Sequence, residues 1–123
     1  MYLACNQDRC RLAHGLVAGN CVHHANAADV PRGDGIELED GSYGTTIRGN
    51  VIHDTRYPCL LGYSTAGNGP PNVVERNVLW GCGDHGIQWE ADAIVRNNIV
   101  LGAAGAALAT QPHQENGPSE LVI

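Results

Sequence analysis

The chain has 123 residues, 43% of them apolar, with sixteen glycines, no phenylalanine and a formal net charge of −6 at pH 7. That length suits a single domain, and a core without Phe must be narrow and built from small aliphatic side chains. The acidic balance counts against a nucleic-acid partner, which needs a basic face, and no run of about 18 apolar residues is present to cross a membrane as a helix.

At the N-terminus, Tyr2 and Leu3 stand where Cys59 and Leu60 stand later, 18 residues from Tyr2 or Cys59 to the next repeat asparagine. They are expected to form a strand of a coil already under way. No leader of charged, then apolar, then small residues follows Met1. Cys5 and Cys10 come next; they are open to pairing as a disulfide and lack a second pair at zinc spacing. Then HGLVAGNCVHH (14–24) opens a series continued by GTTIRGNVIHD (44–54), PNVVERNVLWG (71–81) and DAIVRNNIVLG (92–102). The seventh position of each is an asparagine: Asn20, Asn50, Asn77 and Asn98. Three places before it stand Val17, Ile47, Val74 and Val95; two places after it stand Val22, Ile52, Leu79 and Val100. A small residue followed by an aliphatic one comes after each stretch, as Gly35-Ile36, Cys59-Leu60, Gly86-Ile87 and Ala107-Leu108. PSELVI (118–123) resembles the start of one more PNVVER-type strand, about three residues short of its asparagine.

The asparagines are 30, 27 and 21 residues apart, too irregular for helical-pair repeats but suited to coils of constant strands and variable loops. Short runs of Val, Ile, Thr and Leu without a 3.6-residue period favour strands. Asparagine is depleted in strand interiors, so its recurrence predicts a bend, made by Asn in the left-handed conformation, with stacked inward amides bonded to one another. Each coil then has three strands: one before the asparagine, one after it, and one through the small-aliphatic pair, as in GIELE (35–39) and GIQWE (86–90). Cys21 and Cys59 are expected to be small apolar fillers. Arg48, Glu75 and Arg96 share one column and read as an exposed ion-pair row.

These two columns and the asparagine make the chain resemble the right-handed parallel β-helix repeats of the pectate-lyase-like superfamily, which includes carbohydrate-binding and sugar-hydrolase proteins. The resemblance implies an all-β solenoid of four to five coils over residues 1–123. Because the sequence starts and stops in mid-coil, it is expected to be open at both ends, either a piece of a longer helix or a chain whose ends a partner covers, with uncapped coils able to self-associate end to end. It also implies substrate lying along the sheet of the third strands, in a groove walled by loops.

Alternation turns Ile36, Leu60 and Ile87 inward and Glu37, Glu39, Leu61, Tyr63, Gln88 and Glu90 outward. Glu39, Tyr63 and Glu90 form one column, with the glutamate backbones about 10 Å apart. That is near the separation of about 6.5–9.5 Å between the carboxyls of inverting glycosidases. The loops entering the third strand carry His23, His24, Asp29, Arg32 and Asp34, then His53, Asp54, Arg56 and Tyr57, then Asp84 and His85, and are expected to bring a His and an Asp from each coil to one edge of the groove. For hydrolysis, Glu39 with Glu90, or Asp54 with Asp84, supply acid and base. For elimination on a uronic acid, His53, Arg56, Tyr63 and His85 supply base, charge neutralisation and proton donor, with calcium as the candidate cofactor. Glu37, Arg56, Gln88 and Asp84 are the candidate substrate contacts, and no metal ligands are assigned. Trp80 and Trp89 offer stacking surface, though alternation points Trp89 inward.

The resulting expectation is a secreted, periplasmic or envelope protein acting on or binding acidic polysaccharide by lyase, hydrolase or epimerase chemistry. The rival is a non-catalytic binding or display module of the adhesin, tailspike or periplasmic solenoid type.

Overall fold

The computed structural model describes residues 1–6, 9–63, 68–113, 118 and 120–123; Ser119 of the PSELVI run lies outside them. The chain winds as a right-handed parallel β-helix, with fourteen short strands and no helix among the described residues. The first sheet stacks β1 (Tyr2–Leu3), β4 (Ile36–Leu38), β7 (Leu60–Gly62), β10 (Ile87–Trp89) and β13 (Leu108–Ala109) in that order. The second contains β2 (Leu16–Ala18), β5 (Thr46–Arg48), β8 (Asn72–Glu75), β11 (Ala93–Arg96) and β14 (Leu121–Val122). The third contains β3 (Cys21–His23), β6 (Val51–Thr55), β9 (Val78–Cys82) and β12 (Ile99–Leu101). Every strand pairing is parallel.

Each strand is too short to bury anything alone, so the core comes from stacking like on like. Val17, Ile47, Val74 and Val95 are buried in one column, and Ile36, Leu60 and Ile87 in another. Leu38, Gly62 and Trp89 form a third register row, in which Gly62 has no side chain because a Cβ there would overlap the Trp89 ring. Trp89 is therefore core, fully buried. The small residues of the second sequence column have the same cause: a Cβ at Gly35 would run into Ile52 and the Cys59 carbonyl, and one at Gly86 into Val100.

The asparagines bond from coil to coil. The Asn50 side-chain amide donates to the Asn77 side-chain oxygen at 2.9 Å and to the Val17 carbonyl at 3.0 Å, while its own oxygen accepts from both the side chain and the backbone N–H of Asn20. Asn77 repeats the pattern toward Asn98 and Ile47. The bend is not made by these asparagines, which corrects the expectation. The left-handed residue is the one before, at Gly19, Gly49, Arg76 and Asn97, with φ between 55° and 67°. A second left-handed position recurs four places after each asparagine, at His24, Asp54, Gly81 and Asn98's counterpart Gly102. Left-handed backbone turns the chain sharply in one residue, which leaves the asparagine itself free to aim its amide along the solenoid axis.

Three further expectations change. Tyr2 pairs with Glu37 and Leu3 with Leu38, two places on from the alignment with Cys59-Leu60; the face of each residue survives because the shift is even. Cys59 is no mere filler: it forms a disulfide with Cys82, linking adjacent coils, beside the Cys5–Cys10 disulfide. Cys21 is exposed and free, since the column it shares with Val51, Val78 and Ile99 is the outer one.

Candidate functional site

The outer face of the first sheet is floored by Glu37, Leu61 and Gln88, which lie in one register row on β4, β7 and β10. Their side chains leave the solenoid core, yet Glu37 is only 2% exposed, because the loops on either side rise above them. Pro31, Arg32 and Asp34 come from the long 24–34 loop, Tyr57 and Pro58 from the next, and Asp84 from the third. Together with Tyr63 they bound an open cavity of about 590 Å³. Arg56 holds the long loop in place by donating to the carbonyls of Ala27 and Val30. Gly33 carries the Arg56 and Tyr57 amides on its carbonyl, which ties one wall to the next.

The cavity is acidic. Arg32 Nη1 lies 3.3 Å from Glu37 Oε1 and 3.8 Å from Glu39 Oε1, with its guanidinium 4.6 Å above the Tyr2 ring. Even so, Glu37 is pushed up to about 7, first by burial, then by the charge of Asp34 and by Glu39, with Arg32 opposing. Burial also raises Asp34. Tyr63 is raised to about 12 by burial and then by Glu90, Glu37 and their neighbours. Glu37 is thus a carboxyl that keeps its proton to near neutrality, the condition for a general acid.

The column of Glu39, Tyr63 and Glu90 follows one residue beyond the strands: Tyr63 N–H donates to the Leu38 carbonyl and Glu90 N–H to that of Gly62. Glu90 is 1% exposed and its oxygens are engaged. Oε1 accepts from Gln88 Nε2 at 2.5 Å and from Gln111 Nε2 at 2.8 Å, and Oε2 lies 3.3 Å from His113 Nδ1. The other nitrogen of His113 lies 3.1 Å from Asp40 Oδ1, and its ring packs on Tyr63 with centroids 4.3 Å apart. This closes one end of the groove. Gln111 was accessible by register, because β13 pairs Leu108 with Ile87 and Gln111 falls three after it as Glu90 does. His113 and Tyr2 carried no such signal: His113 lies beyond the end of β13, and Tyr2 reaches the site by the two-residue register shift.

The expectation that each coil brings a His and an Asp to one groove edge is corrected. Asp34 and Asp84 line the cavity, but His53 stands on the outer face of the third sheet, its ring stacked on Trp80 at 4.3 Å and on His23 at 5.3 Å. Asp54 is its neighbour there, Oδ2 being 2.9 Å from His53 Nδ1. His53 and Asp54 lie within β6, before the loop begins, and His53 is in register with His23 and Trp80, so both stay behind the wall. His85 accepts the Ala106 N–H at 2.9 Å and sits 3.7 Å from Asp84 Oδ1, outside the cavity lining. Glu75 takes the Arg96 guanidinium at 2.8 Å, which lowers its pKa; this pair lies on the second sheet. Among the described residues no group of three or more His, Cys, Asp or Glu converges to hold a metal ion, and calcium has no ligand set there.

A family model described as right handed beta helix region matches residues 13–119. No curated protein and no solved structure matches the chain.

Proposed function

This chain belongs to the right-handed β-helix family, and on that premise we propose that its first-sheet groove binds an oligosaccharide segment and hydrolyses it with Glu37 as general acid. The observation that carries this reading is the Glu37 carboxyl, buried on the groove floor and protonated to about 7. A sugar ring has polar edges and apolar faces, and the groove answers with Glu37 and Gln88 below and the Tyr57 and Tyr63 rings at its walls. Asp84 is the partner base. It precedes β10 and lines the same cavity as Glu37.

Hydrolysis is favoured over elimination because Arg56, His53 and His85, three of the four groups elimination would use, stand outside the cavity lining and only Tyr63 borders it. Glu39 and Glu90 are supports in this reading, since Glu90 is held by Gln88, Gln111 and His113. An acidic cavity with Arg32 as its cation also suits a neutral glycan better than a polyuronate. The two disulfides fit a secreted or periplasmic setting. A second reading, a non-catalytic glycan-binding module, is favoured by one contact: Arg32 lies against Glu37, across the approach to the acid.

Reducing-end release from a panel of neutral and uronate polysaccharides tests the choice. Release by the wild type that is lost in Glu37→Gln while binding persists supports hydrolysis. Binding without release establishes the module, and neither binding nor release removes the carbohydrate reading altogether.

A further inference from the structure

His23 ends β3 and His24 follows it directly. In a continuing strand consecutive side chains point to opposite faces, so two adjacent histidines would stay apart. His24 breaks that rule because it occupies the left-handed corner position, φ 58°. The turn swings its ring to the side of His23, and the two Nδ1 atoms lie 2.5 Å from each other, the rings at 77° with centroids 4.7 Å apart. The plane of His23 is fixed from below: His53 stacks on it at 12°, and Trp80 stacks on His53 at 6°. Both His23 and His24 are exposed.

We infer that His23 and His24 form a two-nitrogen chelate for one late first-row divalent ion, Cu²⁺, Ni²⁺ or Zn²⁺, with water completing its shell. Imidazole nitrogen is the ligand these ions prefer, whereas Ca²⁺ and Mg²⁺ need several oxygens. With metal–nitrogen distances of about 2.0–2.1 Å, two ligands on one ion sit about 3 Å apart, so the rings need only part by a fraction of an ångström. In the complex both Nδ1 lone pairs are on the ion and each ring carries its proton on Nε2. As no third His, Cys, Asp or Glu converges with them among the described residues, the site is open to solvent and to small ligands. It lies on the third sheet and is independent of the groove.

Cys21, exposed on the same strand, is the competing ligand, so the test is made in the full chain carrying Cys21→Ser. Zn²⁺ is titrated by calorimetry and Cu²⁺ by quenching of tryptophan fluorescence, Trp80 being two ring contacts from His23. One ion per chain is expected, with His23→Ala and His24→Ala each weakening binding by about tenfold or more, at least the loss that changes in a metal's outer shell produce. His14→Ala, at an exposed imidazole elsewhere, should leave it unchanged. Unaltered affinity in His24→Ala, or binding that disappears with Cys21→Ser alone, overturns the site; circular dichroism of each variant confirms that the coil is intact.

Discussion

Gly49 sits at φ 60° with nothing within 4 Å of the position a Cβ would take. A substitution there meets backbone strain and no steric obstacle. Gly49→Ala should therefore cost about 1 kcal/mol, read as a lower urea midpoint with unchanged slope; an unchanged midpoint would mean that the turn relaxes. Arg76 and Asn97 hold the same conformation in their coils, and this is why the turn was invisible in the sequence. The column reads Gly, Gly, Arg, Asn, with no single residue type, whereas the position beside it is uniformly asparagine.

Glu37 links a residue to solution behaviour through a sign that can be checked. Its folded pKa of about 7 lies above the ordinary 4.5, so between those values the folded chain holds a proton that the unfolded chain has released. Stability contributed by the neutral carboxyl is present below pH 4.5 and is lost as pH rises through 7. Glu37→Gln should remove that part of the pH dependence and make the protein relatively more stable at pH 8 than the wild type. Thermal unfolding at pH 5 and pH 8 measures it, and a wild type and variant that fall in parallel would contradict the assignment.

At the scale of elements, the asparagine row separates middle from end. Asn50 is fully buried, and Asn20 is half-buried. Asn50→Ala deletes donors to Val17 and Asn77 and removes the acceptor of two Asn20 donors, so a loss of about 2–4 kcal/mol is expected. Asn20→Ala should cost about 1 kcal/mol, because water replaces what it loses. Chemical denaturation of the two variants compares them, and equal losses would count against this account. The Cys59–Cys82 disulfide closes a sequence separation of 23 residues, for which chain entropy gives about 3 kcal/mol; the double alanine variant should lose that order of stability. Strand positions and their inward faces were legible because apolar columns recur with the coil. This disulfide was not, because Cys59 occupies a column of small residues and its partner lies one coil on, at a strand end that carries no repeat signal.

Over the whole molecule, each strand bonds only to the strands of neighbouring coils. Stability should then accumulate from nearest neighbours and be greatest in the middle. Hydrogen exchange is expected to be slowest at Ile52, Leu60 and Val74 and faster toward β1 and β14; uniform protection would reveal a single cooperative block instead. The groove belongs to this scale too. Its floor was legible, since alternation placed Glu37, Leu61 and Gln88 outside the core, but its contents were not. How far a loop rises, and which side chains it carries over the floor, depends on contacts such as those of Arg56 with the long loop, which no periodicity encodes.

The corners differ in what they permit. At the asparagine corner one left-handed residue joins two strands in every coil, and an extra residue between Gly49 and Asn50 would put the inward side chains of β6 on the outside. Between the third and first sheets the same solenoid tolerates both the long 24–34 segment and the short 56–58 one. That segment is therefore an exchangeable cassette: a designer can replace it, with its share of the cavity wall, while leaving the winding of the chain untouched.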